Sequence, residues 1–424
     1  MKVNKVMYLC IAVWALWMNN VWAQDSLKIT IQQTEKRFLE NNLLLLAEHC
    51  NIDVAKANLL QAKLFHNPTF SAGINIYNPE NRRWFDAGKN SGQYVFAIEQ
   101  VINLSGKRNK EIKLAKIDIQ LSENQFYDLL RTLKFSLNST FYETYFTYCS
   151  LRAFDEQIEL LESLQNSYKE LKNRGIVSLN EVVRIQSLLY GLQADKLELQ
   201  TTFNELQAEL QLFLQDNSRI FIPELSDRDF VFLNPSDFAI DKLIAYALEN
   251  RVDLKTAKNE WHWQQQKLSL EKANAVPEIT IGADFDKRSG AFDNQFSLNM
   301  AIDLPFFNHN KGTINAVKAG LKQKEILIHK KQKEVETEVL KSFANAVEAD
   351  IIYRSIDVDF EQNLKSLLQS ITDNFRKKNI SMLEFTDFYE SYRDNIIKVN
   401  QIKNKKAQAM TELRFAVGVD LIEN

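Results

Sequence analysis

Gln295-Phe296-Ser297-Leu298-Asn299-Met300-Ala301-Ile302-Asp303-Leu304 alternates Phe, Leu, Met, Ile and Leu with Gln, Ser, Asn and Asp, Ala301 alone interrupting the polar series. A period of two places successive side chains on opposite faces of a strand, here one apolar and one polar. Just upstream, Ile279, Ile281 and Phe285 alternate with Glu278, Thr280, Gly282 and Asp284. The stretch 277–304 therefore predicts a β-hairpin. Strands of roughly 9–11 residues with this pattern have the span of a transmembrane barrel strand. Taken alone, a half-buried soluble hairpin reads the same way.

A second hairpin stands earlier in the chain, over 68–104. Phe70, Ala72, Ile74 and Ile76 share one side with Ser71, Gly73 and Asn75 on the other. A polar loop from Asn78 to Gly92 leads to Tyr94, Phe96 and Ile98, set against Gln93 and Glu99. The recurrence extends beyond the hairpins. Leu39-Glu40-Asn41, Lys63, Pro68 and Gly73 return as Leu248-Glu249-Asn250, Lys272, Pro277 and Gly282 at one shift, and Ser178, Glu181, Glu209 and Leu210 return as Ser381, Glu384, Glu412 and Leu413 at another. Two copies of one supersecondary unit point to a symmetric structural element rather than to a single asymmetric active site.

Each hairpin precedes a very long helical stretch without proline, 107–172 and 311–378, which at 1.5 Å per residue would run roughly 100 Å. Heptad helices follow at 179–215 and 381–417. In the first, Val182, Ile185, Leu189, Leu192, Lys196, Leu199, Phe203, Leu206, Leu210 and Phe213 step by threes and fours, a seam suited to knobs-into-holes packing. The second seam is Phe385, Phe388, Tyr392, Asn395, Val399, Ile402, Lys406, Ala409, Leu413 and Ala416, so each seam carries one lysine. The expected layout is a leader at 1–23, a first repeat at 24–215, a connector at 216–236 with room for a small strand, a second repeat at 237–417 and a tail at 418–424. Each repeat begins with a helix, the first over 31–66.

Lys2 and Lys5, the apolar run from Val6 to Trp17 and Val21-Trp22-Ala23 make a secretory signal with cleavage before Gln24. Cys10 follows Tyr8 and Leu9 rather than the small residues of a lipoprotein signal, so no lipid anchor is expected. The formal charge of -3 becomes about -5 without the two leader lysines, which gives no basis for nucleic-acid binding. Cys50 and Cys149 fall in separate predicted helices and read as small buried hydrophobes. The five histidines, at 49, 66, 262, 309 and 329, form no ligand pair on a helical face. Phosphate loops and nucleophile elbows are also missing, so no catalytic, cofactor-binding or metal-binding residues are expected, and the chain does not read as an enzyme. Trp84 fits either an anchor at a membrane interface or simple loop packing.

The order of elements, the paired Pro68 and Pro277 ahead of the strands, the Ile302-Asp303-Leu304-Pro305-Phe306-Phe307 exit and the two helix-to-helix turns resemble the outer-membrane efflux proteins, the TolC-like family, from Ile31 to Val417. That resemblance implies a mixed α and β fold. Each chain would give four transmembrane β-strands to a twelve-stranded barrel shared by a homotrimer, embedded in outer-membrane lipid, above a long periplasmic coiled-coil barrel. It also implies a passive exit duct of a tripartite efflux or type I secretion system, with a periplasmic adaptor and an inner-membrane pump as partners. An exported periplasmic coiled-coil scaffold or stalk is the alternative, and the four amphipathic strands are what it leaves unexplained.

By the same resemblance the two turns are the adaptor-facing tip, with Arg174, Gly175, Val177 and Ser178 in the first and Lys378, Asn379, Ile380 and Ser381 in the second; ordinary helix–turn–helix chemistry is the other reading. The first keeps the family's glycine at Gly175, whereas Lys378 holds that place in the second. Ile380 stands where some members have a basic residue, so the ion pairs that lock the gate in those members have no evident equivalent here. Glu384 and Asp387 match acidic positions that form a constriction in some relatives, and their first-repeat counterparts are Glu181 and Arg184. Three residues apart on a helix, the two acids point within roughly 60° of each other. These four are the gate candidates, and a solvated helix face is the competing reading.

Overall fold

A computed structural model describes residues 25–86, 92–225, 234–288, 292–357 and 359–418. The predicted leader, the connector stretch 226–233 and all of the tail beyond 418 lie outside the described residues. In chain order the elements are β1 (Asp25–Thr30), α1 (Ile31–Asn41), α2 (Leu43–Ala62), β2 (Thr69–Ile74), β3 (Tyr77–Asn78), β4 (Arg83–Trp84), β5 (Gln93–Ile102), α3 (Lys107–Asn173) and α4 (Leu179–Leu214). After them come β6 (Arg219–Glu224), a 3-10 turn (Pro235–Asp237), α5 (Ile240–Asn250), α6 (Val252–Asn274), β7 (Ile279–Arg288), β8 (Phe292–Ile302), α7 (Lys311–Arg354), α8 (Phe360–Arg376) and α9 (Met382–Val417). The chain divides into a sheet-bearing unit (45–130 and 246–337) and a helical unit (the rest), and α3 and α7 contribute residues to both.

In the sheet-bearing unit the two hairpins join into one antiparallel four-stranded sheet, ordered β2-β5-β7-β8. Alternation fixes its two faces, because a one-residue slip would move every apolar side chain to the polar side. One face stacks Phe70 beside Ile98, Ala283 and Leu298, and Ala72 beside Phe96, Phe285 and Phe296. Phe296, Leu298 and Met300 on this face are 79%, 86% and 69% exposed. The opposite face is polar: Asn299 donates to Asp284, and the Gln93 amide donates to Asp286 at 3.2 Å. Gly282 lies there because a Cβ would meet Glu99 Cγ at 3.0 Å and the Ile98 carbonyl at 3.3 Å. Neither β2 nor β8 has a second strand partner among the described residues, so both outer edges are open. The strands are tied to the helices that follow: Lys107 Nζ, nearly buried, pairs with Glu278 at 2.9 Å, and the Arg108 guanidinium lies 3.9 Å from the Phe65 ring centre.

The helical unit opens on a strand the sequence reading did not contain. β1 pairs in parallel with β6, Leu27 opposite Phe221 and Thr30 opposite Glu224. Gln207 of α4 serves β6 as a surrogate strand: its amide donates to the Phe221 carbonyl (2.6 Å) and accepts from the Phe221 N–H (2.8 Å). Thr30 then caps α1.

Three expectations need correction. The leading helix, expected unbroken over 31–66, is interrupted at Asn42 and ends at Ala62; the buried Asn42 side chain donates to the Phe213 carbonyl at 3.3 Å, drawing the backbone out of helical geometry. The stretch 311–378, expected as one helix, is two, α7 and α8. Between them the Ser355 hydroxyl bonds the Ile352 carbonyl at 2.6 Å, and Asp357 accepts the Asp359 N–H at 3.0 Å. Short polar side chains that bond the local backbone offer it an alternative to the helix. Cys50, expected buried, is exposed, because α2 turns Leu45, Ile52 and Ala55 inward instead; Cys149 is half-buried, and burial raises its thiol pKa.

Both seams enter the core of the helical unit. Val182, Ile185, Leu189, Leu192, Phe203, Leu206 and Leu210 are buried on α4, as are Phe385, Tyr392, Val399, Lys406, Ala409, Leu413 and Ala416 on α9. The two lysines find different environments. Lys196 is partly exposed and meets Asp155 at 2.5 Å. Lys406 is 6% exposed, 2.9 Å from the equally buried Asp350, with the Tyr353 ring 3.9 Å away. Asp350 also holds Arg354 at 2.7 Å, so the last turn of α7 is fixed to α9 by charge immediately before the break.

Candidate functional site

The two turns are built alike. α3 ends with the Gly175 N–H on the Lys172 carbonyl and the Ile176 N–H on the Leu171 carbonyl, both at 2.9 Å. α8 ends with Lys378 on Phe375 (3.0 Å) and Asn379 on Asn374 (2.9 Å). Each is the paired bonding that closes a helix through a left-handed residue. Gly175 takes that conformation at φ +74° without steric penalty, while Lys378 takes it at φ +61° with a Cβ in place. The Lys378 ammonium donates to the Ile176 carbonyl at 3.3 Å and so links the second turn to the first.

Immediately after each turn a serine caps the next helix. Ser178 accepts from the Glu181 N–H, and the Glu181 carboxylate accepts from the Ser178 N–H (2.8 Å) and hydroxyl (2.9 Å). Ser381 and Glu384 repeat this with the carboxylate bonds at 2.7 and 2.9 Å. The Ser-x-x-Glu spacing is a capping box, a signal that Ser178-x-x-Glu181 and Ser381-x-x-Glu384 carry in the sequence itself. It gives two of the gate candidates a structural task. The backbone N–H and hydroxyl of Ser381 favour the ionised form of Glu384 and lower its pKa. Arg184 and Asp387, one turn further along their helices, are exposed, as are Arg174, Ser178, Lys378, Asn379 and Ser381; Val177 and Ile380 are half-buried.

Beneath the turns lies an aromatic and aliphatic core drawn from α3, α4, α8 and α9. Tyr168 stacks on Phe375 at 5.1 Å, Phe375 on Phe385 at 4.4 Å, and Phe385 meets Tyr389 at 5.8 Å. Val177 and Ile380 pack against this cluster from the turns themselves. Burial pushes the Tyr168 phenol up to about 12, helped by Glu181, and raises Tyr389 further still. Both stay neutral at physiological pH, and Tyr389 donates to the Gln157 carbonyl at 3.4 Å. Around the core, Arg393 joins Asp195 at 3.3 Å and Lys365 joins Glu156 at 2.9 Å, bonds that tie second-repeat helices to first-repeat ones. The turns are thus rigidly seated, with exposed polar groups above an apolar floor.

Among the described residues no three His, Cys, Asp or Glu side chains are placed to hold a metal ion, and no helix is long and apolar enough to cross a membrane.

No family model and no curated protein sequence matches the chain. Solved structures do. The CmeC outer membrane channel of Campylobacter jejuni superposes with a TM-score of 0.73 at 14% identity, over 93% of this chain and 87% of that one. CusC, whose structures describe folding and transmembrane channel formation, gives 0.72 at 13% identity over 95% of each chain. The outer membrane protein VceC of Vibrio cholerae gives 0.69 at 13% identity, over 92% of this chain and 96% of that one. Helices, open four-stranded sheet and internal duplication together give this chain the TolC-like fold of the outer-membrane channels.

Proposed function

We propose that this chain is the outer-membrane exit duct of a tripartite efflux or type I secretion system, conducting substrate passively from a periplasmic pump and adaptor complex to the exterior. The observation that carries the reading is the sheet: four strands, apolar and exposed on one face, polar on the other, with both edges open. Lipid offers no hydrogen-bond partner to a bare strand edge, so a sheet that enters it must close into a barrel. Four strands are too few to enclose a side-chain-filled interior, and copies of the chain joined β8 to β2 supply the rest. A homotrimer makes a twelve-stranded barrel with the apolar face to lipid and the polar face to the lumen. The helical unit then lies in the periplasm.

In this reading the turns at Arg174, Gly175, Val177 and Ser178 and at Lys378, Asn379, Ile380 and Ser381 meet the adaptor. Their exposed polar groups on a firm base suit a docking surface. Glu384 and Asp387 of each chain form an acidic gate ring, with Glu181 and Arg184 beside it. Cross-linking in mild detergent is expected to give a three-chain species that fractionates with the outer membrane. A well-behaved monomer in detergent-free buffer refutes the reading and returns the chain to the class of soluble periplasmic scaffolds.

A further inference from the structure

Beyond the end of β2 the chain makes a second, much smaller hairpin, β3 and β4, with an unusual surface. Tyr77 and Trp84 pack ring on ring at 5.1 Å, and the Phe85 N–H bonds the Ile76 carbonyl at 2.8 Å. Despite these contacts Ile76, Trp84 and Phe85 are 60%, 69% and 67% exposed. Two of the turn residues are left-handed without being glycine, Arg82 at φ +51° and Phe85 at φ +52°. A bulky residue in that region is an outlier that surrounding structure must maintain. What it maintains here is a patch of outward aromatic and apolar side chains, with Arg82 and Arg83 also exposed.

The small hairpin follows directly on the strand that begins the sheet's apolar face. Phe70, Ala72 and Ile74 lie on that face, and Ile76 has the same parity. The last rung of β2 before the small hairpin is Ile74, Tyr94 and Lys287, which β8 does not join, with the Lys287 ammonium 5.3 Å from the Tyr94 ring centre. From Ile102 to Tyr94 along β5 is about 27 Å at 3.4 Å per residue, or about 20 Å in height at a barrel tilt of about 40°, so the small hairpin beyond Tyr94 comes near the end of an apolar band roughly 25 Å tall. The aromatic and cationic groups therefore collect where that band ends. Aromatic rings with an apolar body and a polar edge favour the headgroup level, and guanidinium groups pair with phosphate through two parallel N–H bonds.

We infer that the β3–β4 hairpin is a membrane-surface anchor: Ile76, Tyr77, Trp84 and Phe85 seat in the headgroup region of the outer leaflet, and Arg82 and Arg83 bind lipid phosphates there. The inference rests on the channel reading, which puts the apolar face of the sheet in lipid.

The test uses the full chain reconstituted into phosphatidylcholine vesicles, with and without phosphatidylglycerol, and takes the Trp84 signal as the difference between parent and Trp84→Phe. Bromine attached to the acyl chains near the headgroup is expected to quench that signal, and aqueous iodide to leave it nearly unchanged. Phosphatidylglycerol should shift the emission further to the blue, and the double variant Arg82→Gln with Arg83→Gln should lose that shift while still floating with vesicles. Co-flotation with Trp84 open to iodide overturns the anchor and leaves the channel reading standing, since the hairpin then faces water in the lumen or outside. A double variant with an unchanged phosphatidylglycerol shift overturns the phosphate contact. Failure of the parent to float at all overturns the anchor and the channel reading together.

Discussion

Placing an arginine at Leu298 separates a lipid-facing strand from a solvated one. Leu298 stands opposite Ala283 on β7, flanked on its own face by Phe296 and Met300, and is 86% exposed in the isolated chain. In the proposed barrel it would lie near the middle of the apolar band, where a charged side chain costs about 2–4 kcal/mol. At about 1.4 kcal/mol per factor of ten, that is a roughly 30- to 700-fold loss in the equilibrium for inserting one chain, and three chains would share the proposed barrel. Asn299→Arg is the matched control one residue away. Asn299 faces the other side and hydrogen-bonds Asp284, so an arginine there gains a carboxylate and stays solvated. Recovery of trimer from outer-membrane fractions, read on gels without heating, should collapse for Leu298→Arg and stay near parent for Asn299→Arg. Equal recovery of the two variants refutes the assignment of faces.

Three further outcomes follow from the helical unit. Asp350→Asn leaves the Lys406 ammonium buried without its charge partner and should cost about 3–5 kcal/mol in denaturant unfolding, whereas Lys406→Met should cost less, because Asp350 keeps Arg354. Gly175→Val forces a β-branched residue to φ +74° and should cost about 1–2 kcal/mol; Lys378→Gly at the matching turn relieves strain but loosens the unfolded chain and loses the exposed bond to Ile176, so its midpoint should move little. Glu384→Gln with Asp387→Asn should lower cation selectivity in bilayer conductance without changing trimer assembly, and unchanged selectivity would leave Glu384 its capping role alone and Asp387 as solvated helix surface.

What the sequence revealed followed the strength of local periodicity. The β7–β8 alternation, the uninterrupted α3 and the heptad seams on α4 and α9 each repeat a pattern over many residues, and the structure shows them where the pattern lies. The β1–β6 pairing was invisible because two six-residue strands nearly two hundred positions apart carry no local sign of each other. The α7–α8 break was missed for a related reason: Ser355 and Asp357 interrupt the helix through backbone hydrogen bonds, without the glycine or proline that usually marks a stop. At the turns, Gly175 could be read as a left-handed residue, but Lys378 could not, since only its backbone shows that a lysine adopts the same conformation. Glu181 and Glu384 are legible as capping residues through Ser178 and Ser381, three positions ahead of each. Lys406 could be placed on the seam by counting, whereas its partner Asp350 comes from a different helix.

The unequal open edges of the sheet bear on inheritance as well as on architecture. β2 offers six residues to a neighbour and β8 offers eleven, so a lone copy that entered lipid would carry bare backbone on both flanks. On the channel reading, insertion and subunit assembly are then a single event, with no stable inserted protomer along the way. A defective β8 edge would be fatal to any ring that admits it, whatever the quality of the other members. In a cell making equal amounts of sound and edge-damaged chains, only about one ring in eight would be wholly sound if three copies mix at random, so damage at that edge should behave as genetically dominant, and damage that keeps the chain from reaching the membrane should be recessive.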